Sequence, residues 1–160
     1  SILDLVNGRN IVKVSKNCLD MLAHHEGVRV KPYKCPAGLW TIGVGHLIGD
    51  GKSLPPEYNR TFTLKEVYDL LATDVQKFER GVERLLPNVK LSQNEFDAVV
   101  SWCFNLGLGT FQRSTFRQAL LRGDKIGAVE SLLKYNKAGG KVLKGLDTRR
   151  KDEAALFNKV

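Results

Sequence analysis

No run of apolar residues approaches the roughly 18 needed to cross a bilayer, so no membrane span is expected. Cysteine is scarce and odd in number. Cys18, Cys35 and Cys103 stand far apart, which excludes a full disulfide framework. No CxxC pair is present, and the histidines are confined to His24, His25 and His46, with no HExxH. Adjacent histidines on a helix point about 100 degrees apart, so neither a metal site nor any cofactor is expected. A serine nucleophile would need a GxSxG elbow or comparable context, and none is present. Repeats, low-complexity tracts and Pro/Ser-rich linkers are missing too. The opening, SILDLVNGRNIVKVSK, lacks the basic start, long apolar block and small-residue cleavage site of a signal peptide. Its first 17 residues are also too polar to act as a membrane-arrested export signal. These absences predict a chain that folds in a reducing cytoplasm around its own hydrophobic core.

What is present is an ordinary globular composition, 42% hydrophobic and 26% charged, with a formal net charge of +8. Such a charge favours polyanionic partners. Between residues 134 and 151 stand Lys134, Lys137, Lys141, Lys144, Arg149, Arg150 and Lys151 against Asp147 alone. That segment reads as the main electrostatic footprint, suited to nucleic acid, anionic envelope polymers or acidic membranes. A merely solvated helix face is the plain alternative. Cys18 and Cys103 fall in apolar helical patterns and are read as buried small hydrophobes.

Hydrophobic periodicity predicts a helix over 15–26, with Ser15 as N-cap and Gly27 just past the end. Strands are expected over 28–34 and 39–46, around the turn Cys35-Pro36-Ala37-Gly38, followed by a loop or short third strand over 47–60. Thr63 and Glu66 form a capping box that opens a run from Leu64 to Leu85 at 3.6-residue period, ending at Pro87. A helix over 63–86 would be about 36 Å long, enough to bridge two lobes. Ser92 and Glu95 open another helix, ended by Gly107 and Gly109, and further helices are expected over 114–122, 124–135 and 147–157. Asp147 is the expected cap of the last. The outline is α+β: a small β-hairpin lobe over 28–60, the bridging helix, and a helical lobe over 87–160 joined by 1–27.

GHLIGDGKS invites comparison with a phosphate-binding loop, but five residues rather than four separate Gly45 from Gly51. Leu54-Pro55-Pro56 also follows where a helix should open. The stretch EGVRVKPYKCPAGLWTIGVGH is the better candidate. Glu26 sits at the C-terminal edge of its helix, where the negative end of the dipole raises a carboxyl pKa. That suits an acid kept protonated, as glycoside hydrolysis requires, although a Glu after a helix is equally at home as a structural residue.

The same stretch resembles the phage-type lysozymes, the endolysins of glycoside hydrolase family 24. Their pattern is Glu, eight residues, Asp or Cys, five residues, Thr. Here it falls on Glu26, Cys35 and Thr41 and runs on into IGVGH. LATDVQKFERGVERLL, LSQNEFDAVVSWCFNLGLGTF and AGGKVLKGLDTRRKDEAALF resemble later family segments in the expected order. The resemblance implies a lysozyme-like fold, Glu26 as general acid and Thr41 as a holder of the attacking water. Cys35 takes the middle position, where it would position a water, attack as a thiolate or only fill space. An ionised Glu nearby would raise its pKa and an Arg would lower it. The resemblance further implies that His46 pairs with Asp74 and that Asn105 bonds sugar, unless Asn105 only caps its helix. It also implies that Arg149 or Arg150 pairs with Glu26, lowering the acid's pKa against the dipole. Trp40 is read as hairpin packing.

The function so implied is hydrolysis of the β-1,4 bond between N-acetylmuramic acid and N-acetylglucosamine in peptidoglycan, for host lysis. The enzyme would be a monomer held in the host cytoplasm until a holin admits it to the wall. Anionic outer-membrane surface would be a secondary partner, and nucleic acid only an incidental one. The rivals are a lytic transglycosylase, which works with one Glu and forms anhydro products, and a cationic wall-binding protein without catalysis.

Overall fold

A computed structural model describes residues 3–6 and 9–160, with side chains from Val12 onward. Within the segment weighed above as an export signal, residues 1, 2, 7 and 8 lie outside the described residues. Strands β1 (Leu3–Val6) and β2 (Arg9–Val12) pair as an antiparallel hairpin. Helix α1 (Lys16–Glu26) follows, then β3 (Arg29–Lys34), β4 (Trp40–Gly43) and β5 (His46–Leu47) in one antiparallel sheet of that order. A 3-10 turn (Pro56–Tyr58) leads to the long helix α2 (Leu64–Leu85). Helices α3 (Gln93–Leu106), α4 (Leu108–Gln112), α5 (Thr115–Leu121) and α6 (Lys125–Lys134) come next. The two-residue strands β6 (Lys137–Ala138) and β7 (Lys141–Val142) form a small hairpin before α7 (Lys144–Phe157).

Contacts divide the chain into two compact units, one of residues 19–76 and one of residues 1–18 with 77–160. The divisions fall inside α1 and α2.

The 19–76 unit packs α1 and the first half of α2 with the three-stranded sheet. Leu22 and Ala23 of α1, Ile42, Val44 and Ile48 of the sheet region, and Val67, Leu71 and Val75 of α2 are buried. The pattern from Leu64 is therefore largely realised, although Leu64 itself is 61% exposed. The capping box is present: the Glu66 N–H donates to Thr63 Oγ1 at 3.1 Å, and the Thr63 N–H to Glu66 Oε1 at 3.0 Å. Pro32 is tolerated because β3 is an edge strand. The strand expected over 39–46 is broken: Val44 and Gly45 make a turn, so the chain reverses and β5 pairs back on β4. Gly43 holds φ +71°, and a Cβ there would come within 3.1 Å of Val67 Cγ1. Both facts favour glycine where sheet meets helix.

In the other unit Trp102 is wholly buried, ringed by Phe111, Phe116 and Tyr135 at centroid distances of 5.8, 5.2 and 4.9 Å. Its indole N–H donates to Leu132 O at 3.4 Å. Ser92 and Glu95 form the expected capping box of α3, and Gly107 ends that helix with φ +92°. Gly109 does not share in ending it, being already inside α4. Ser114 and Asp124 cap α5 and α6 through their side chains. Asp147 is not the cap of α7, which begins three residues earlier at Lys144. It lies in the first turn instead, accepting from Asn136 Nδ2 at 3.0 Å and pairing with Lys151 at 2.9 Å.

Candidate active site

Glu26 is the last residue of α1. Gly27, at φ +86°, closes the helix by donating its N–H to Ala23 O at 2.9 Å, and β3 starts two residues later. The glutamate is therefore delivered, exposed, at the point where helix becomes strand.

The β3–β4 connection runs from Cys35 to Leu39, with Gly38 left-handed at φ +78°. The Cys35 N–H donates to Leu39 O at 2.9 Å, and the Gly38 N–H to Cys35 O at 2.7 Å. The Leu39 N–H is the largest influence lowering the thiol's pKa below the ordinary value, partly opposed by desolvation and joined by the Ala37 N–H and the Thr41 hydroxyl. The lowering comes from the loop's own donors, not from an arginine. Thr41 sits on the central strand and is 4% exposed. Its hydroxyl donates to Leu39 O at 2.9 Å. With one proton to give, that hydroxyl serves either the carbonyl or the ionised sulfur at a given moment. Cys35 is half-exposed, so the sulfur remains open to a small reactant.

His46, on β5, has Nδ1 2.8 Å from Asp74 Oδ2 on α2, and both side chains are partly exposed. The pair fastens the sheet to the helix behind it. Trp40 stacks under Lys34, whose Nζ is 5.3 Å from the ring centroid.

The remaining sequence candidates belong to the unit formed by residues 77–160 with 1–18. Asn105, on the last turn of α3, accepts from Arg150 Nη2 at 2.6 Å. It does not cap the helix, since Gly107 does. Arg149 and Arg150 are 4% and 0% exposed, so they lie inside the fold and the surface footprint read from the sequence must shrink. Burying an arginine requires a partner, and Glu153 supplies it. Arg150 Nε lies 2.8 Å from Glu153 Oε1, an ion pair too bent for a hydrogen bond, and Arg149 Nε reaches Glu153 Oε2 at 3.2 Å. Ser101 Oγ donates to the same carboxylate at 2.6 Å, and Arg149 Nη2 donates to Ser101 O at 3.1 Å. Burial raises the Glu153 pKa against the opposing pull of both arginines. Sequence reasoning missed Glu153 and Ser101. Their signal was only an acid three and four residues after two arginines on one helix.

What remains of the basic patch at the surface is Lys151, paired with Asp147, and Lys134, Lys137, Lys141 and Lys144 around the β6–β7 hairpin, these four exposed and without ion-pair partners among the described residues. Among the described residues no group of three or more His, Cys, Asp or Glu is placed to hold a metal ion. No helix of the described residues is long and apolar enough to cross a membrane.

Residues 23–153 match the family model for phage lysozyme. The chain belongs to the phage lysozyme family. The endolysin of Salmonella phage P22 is 36% identical over 148 residues, covering 92% of this chain and 99% of that protein. A solved P22 lysozyme mutant superposes with a TM-score of 0.83 at 35% identity, covering 93% of this chain and all of its own. The phage lysozyme fold is therefore the α+β, lysozyme-like class expected from the sequence. The endolysin of Bacillus phage PZA is 38% identical over 149 residues, covering 92% of this chain. This chain spans only 55% of that endolysin, about half the length of the Bacillus phage relatives it matches.

Proposed function

We propose that this phage lysozyme relative is a muramidase that hydrolyses the β-1,4 bond between N-acetylmuramic acid and N-acetylglucosamine in peptidoglycan. Relatives named endolysins and lysozymes support the reaction class. The observation that carries the reading is the Cys35 loop. Two backbone N–H groups and the Thr41 hydroxyl lower the thiol's pKa, easing formation of the charge an aspartate would bring to that position. Glu26 donates its proton to the glycosidic oxygen as the bond to the anomeric carbon breaks. A water held by Thr41 and Cys35 attacks that carbon and passes its proton to the Cys35 thiolate, leaving a reducing sugar end and a free hydroxyl. Positioning of water, rather than a covalent thioglycosyl intermediate, is the role assigned to the thiol. Support from an arginine of α7 at Glu26, residence in the host cytoplasm, access through a holin and action as a monomer belong to the same reading.

Mass spectrometry of muropeptides after digestion of purified peptidoglycan tests it. The wild type is expected to give hydrated products ending in reducing N-acetylmuramic acid, and Glu26→Gln none. Products lighter by one water would instead mean a transglycosylase. Killing that survives Glu26→Gln, with no products from either protein, would mean a wall-binding protein without catalysis.

A further inference from the structure

We propose that the β6–β7 hairpin docks on an anionic phospholipid bilayer, laying Val142 and Leu143 among the headgroups while its lysines meet the phosphates. The proposal stands apart from the muramidase reading, because lipid binding needs no catalysis.

The hairpin is short and projects. Lys137 pairs with Val142 and Ala138 with Lys141, and the Leu143 N–H adds a rung by donating to Asn136 O at 3.0 Å. Gly139 and Gly140 make the turn with φ of +58° and +79°, as a two-residue turn between twisted strands requires. No third strand joins the pair among the described residues, and every residue from 137 to 145 is exposed. Both faces therefore meet solvent. By alternation Val142 shares one face with Lys137, and Leu143 the other with Lys141. Val142 is 57% exposed and Leu143 45%, the one pair of chain neighbours among the large exposed apolar residues described.

Folding does not ask for this arrangement. Leu143 is the N-cap residue of α7, extended at φ −103° and ψ 131°, and its side chain makes no cap. Serine or aspartate there would bond a free helix N–H. Lys144 opens the helix at the end where the dipole repels a cation. Between Glu130 and Asp147 the chain holds four lysines and no acid, and Asp147 is taken by Lys151 at 2.9 Å.

Charge alone does not choose a polyanion, since lysines attract carboxylate-bearing glycan as well as phosphate-bearing lipid. The apolar pair does choose. Beside a hydrated glycan Val142 and Leu143 gain little, whereas at a bilayer interface they leave water. Each lysine near an acidic leaflet strengthens binding by about fivefold, an effect that salt screens and apolar burial does not share.

The test is sedimentation of the intact chain with vesicles of phosphatidylcholine alone, or of phosphatidylcholine mixed with phosphatidylglycerol, at low and high salt. The wild type is expected to bind the mixed vesicles, with a fraction that survives high salt, and not phosphatidylcholine alone. Val142→Ser combined with Leu143→Ser should weaken that binding by about tenfold and remove the salt-resistant fraction. Turnover of lipid-free peptidoglycan should be unchanged in the same variant. The melting temperature of Leu143→Ser should hold or rise, because serine supplies the missing cap, so weaker binding would not reflect a lost fold. Val142→Trp should strengthen binding several-fold, since an indole favours the membrane interface. No binding to mixed vesicles, or binding that the serine pair leaves intact, would overturn the proposal. Equal losses on vesicles and on lipid-free peptidoglycan would make the pair a general polyanion contact and overturn it too. Vesicle binding as expected with no turnover of peptidoglycan by the wild type would uphold the docking tip and sink the muramidase reading alone.

Discussion

Cys35 is useful as a stand-in for a carboxylate only while ionised, and its loop favours that state. The ordinary thiol value is about 8.5. A value lowered by the Leu39 and Ala37 N–H groups places the rise in thiolate fraction at lower pH. Cys18 and Cys103 lie the other way, raised well above the usual thiol value chiefly by burial. Alkylation of the native protein should therefore modify one thiol, at Cys35, with a half-maximal rate at lower pH than for the same thiol in the unfolded chain. Modification of Cys18 or Cys103 at a comparable rate would contradict this. On activity, Cys35→Ser is expected to keep a measurable rate and Cys35→Asp more of it. The wild type should gain rate as pH rises through the lowered thiol value. Cys35→Asp, ionised well below neutrality, should lose that limb of the profile. Abolition of activity in both variants with the fold intact would favour a nucleophilic thiol over a positioner of water.

Among the elements, what the sequence discloses is local and what it hides is distant. Capping boxes at Thr63 and Ser92 were legible because both partners lie within one turn. The Cys35 loop was legible from its Pro and Gly, and Glu26 from the Gly that stops α1. Ser15 stands just before α1, as its cap position requires, but its bonds to Asp97, which accepts both its hydroxyl and its N–H (3.0 Å), could not be read. Eighty-two positions of chain separate that pair, beyond the reach of any local pattern. Asp147 looked like a cap because an acid is favourable both at the cap and within the first turn. The β6–β7 hairpin left only Gly139 and Gly140 as a trace, since two-residue strands have no periodicity to show. One glycine invites a test at this scale. Gly81 lies inside α2, where alanine would ordinarily add up to about 1 kcal/mol of helix stability. A Cβ at Gly81 would meet Leu108 Cδ2 at 2.7 Å, and such overpacking costs about 1–3 kcal/mol. Gly81→Ala should thus lower the melting temperature by a few degrees, and an increase would show that Leu108 moves aside freely.

For the molecule as a whole, the net charge of +8 sets how it meets an anionic polymer. The burial of Arg149 and Arg150 leaves the work of attraction in this region to Lys134, Lys137, Lys141 and Lys144. Turnover of peptidoglycan at limiting substrate should fall several-fold as ionic strength rises from about 0.05 to 0.5 M, where screening shortens the reach of exposed charge. Lys137→Glu combined with Lys141→Glu should flatten that dependence and leave the melting temperature unchanged. A salt response identical to wild type would place the attraction elsewhere. The division at residues 19 and 76 has a consequence for the chain as it leaves the ribosome. The unit bearing Glu26, Cys35 and Thr41 is continuous, so all of its own contacts are available once residue 76 has emerged. The other unit is interrupted by it. Val14 and Ser15 must wait for Glu79 and Asp97, and the arginines of α7 close the set last. The glutamate and thiol are thus assembled early, while Asn105 acquires its fixed orientation only when Arg150 arrives. Nascent chains cut short before α7 should carry a formed hairpin and an Asn105 amide free to flip.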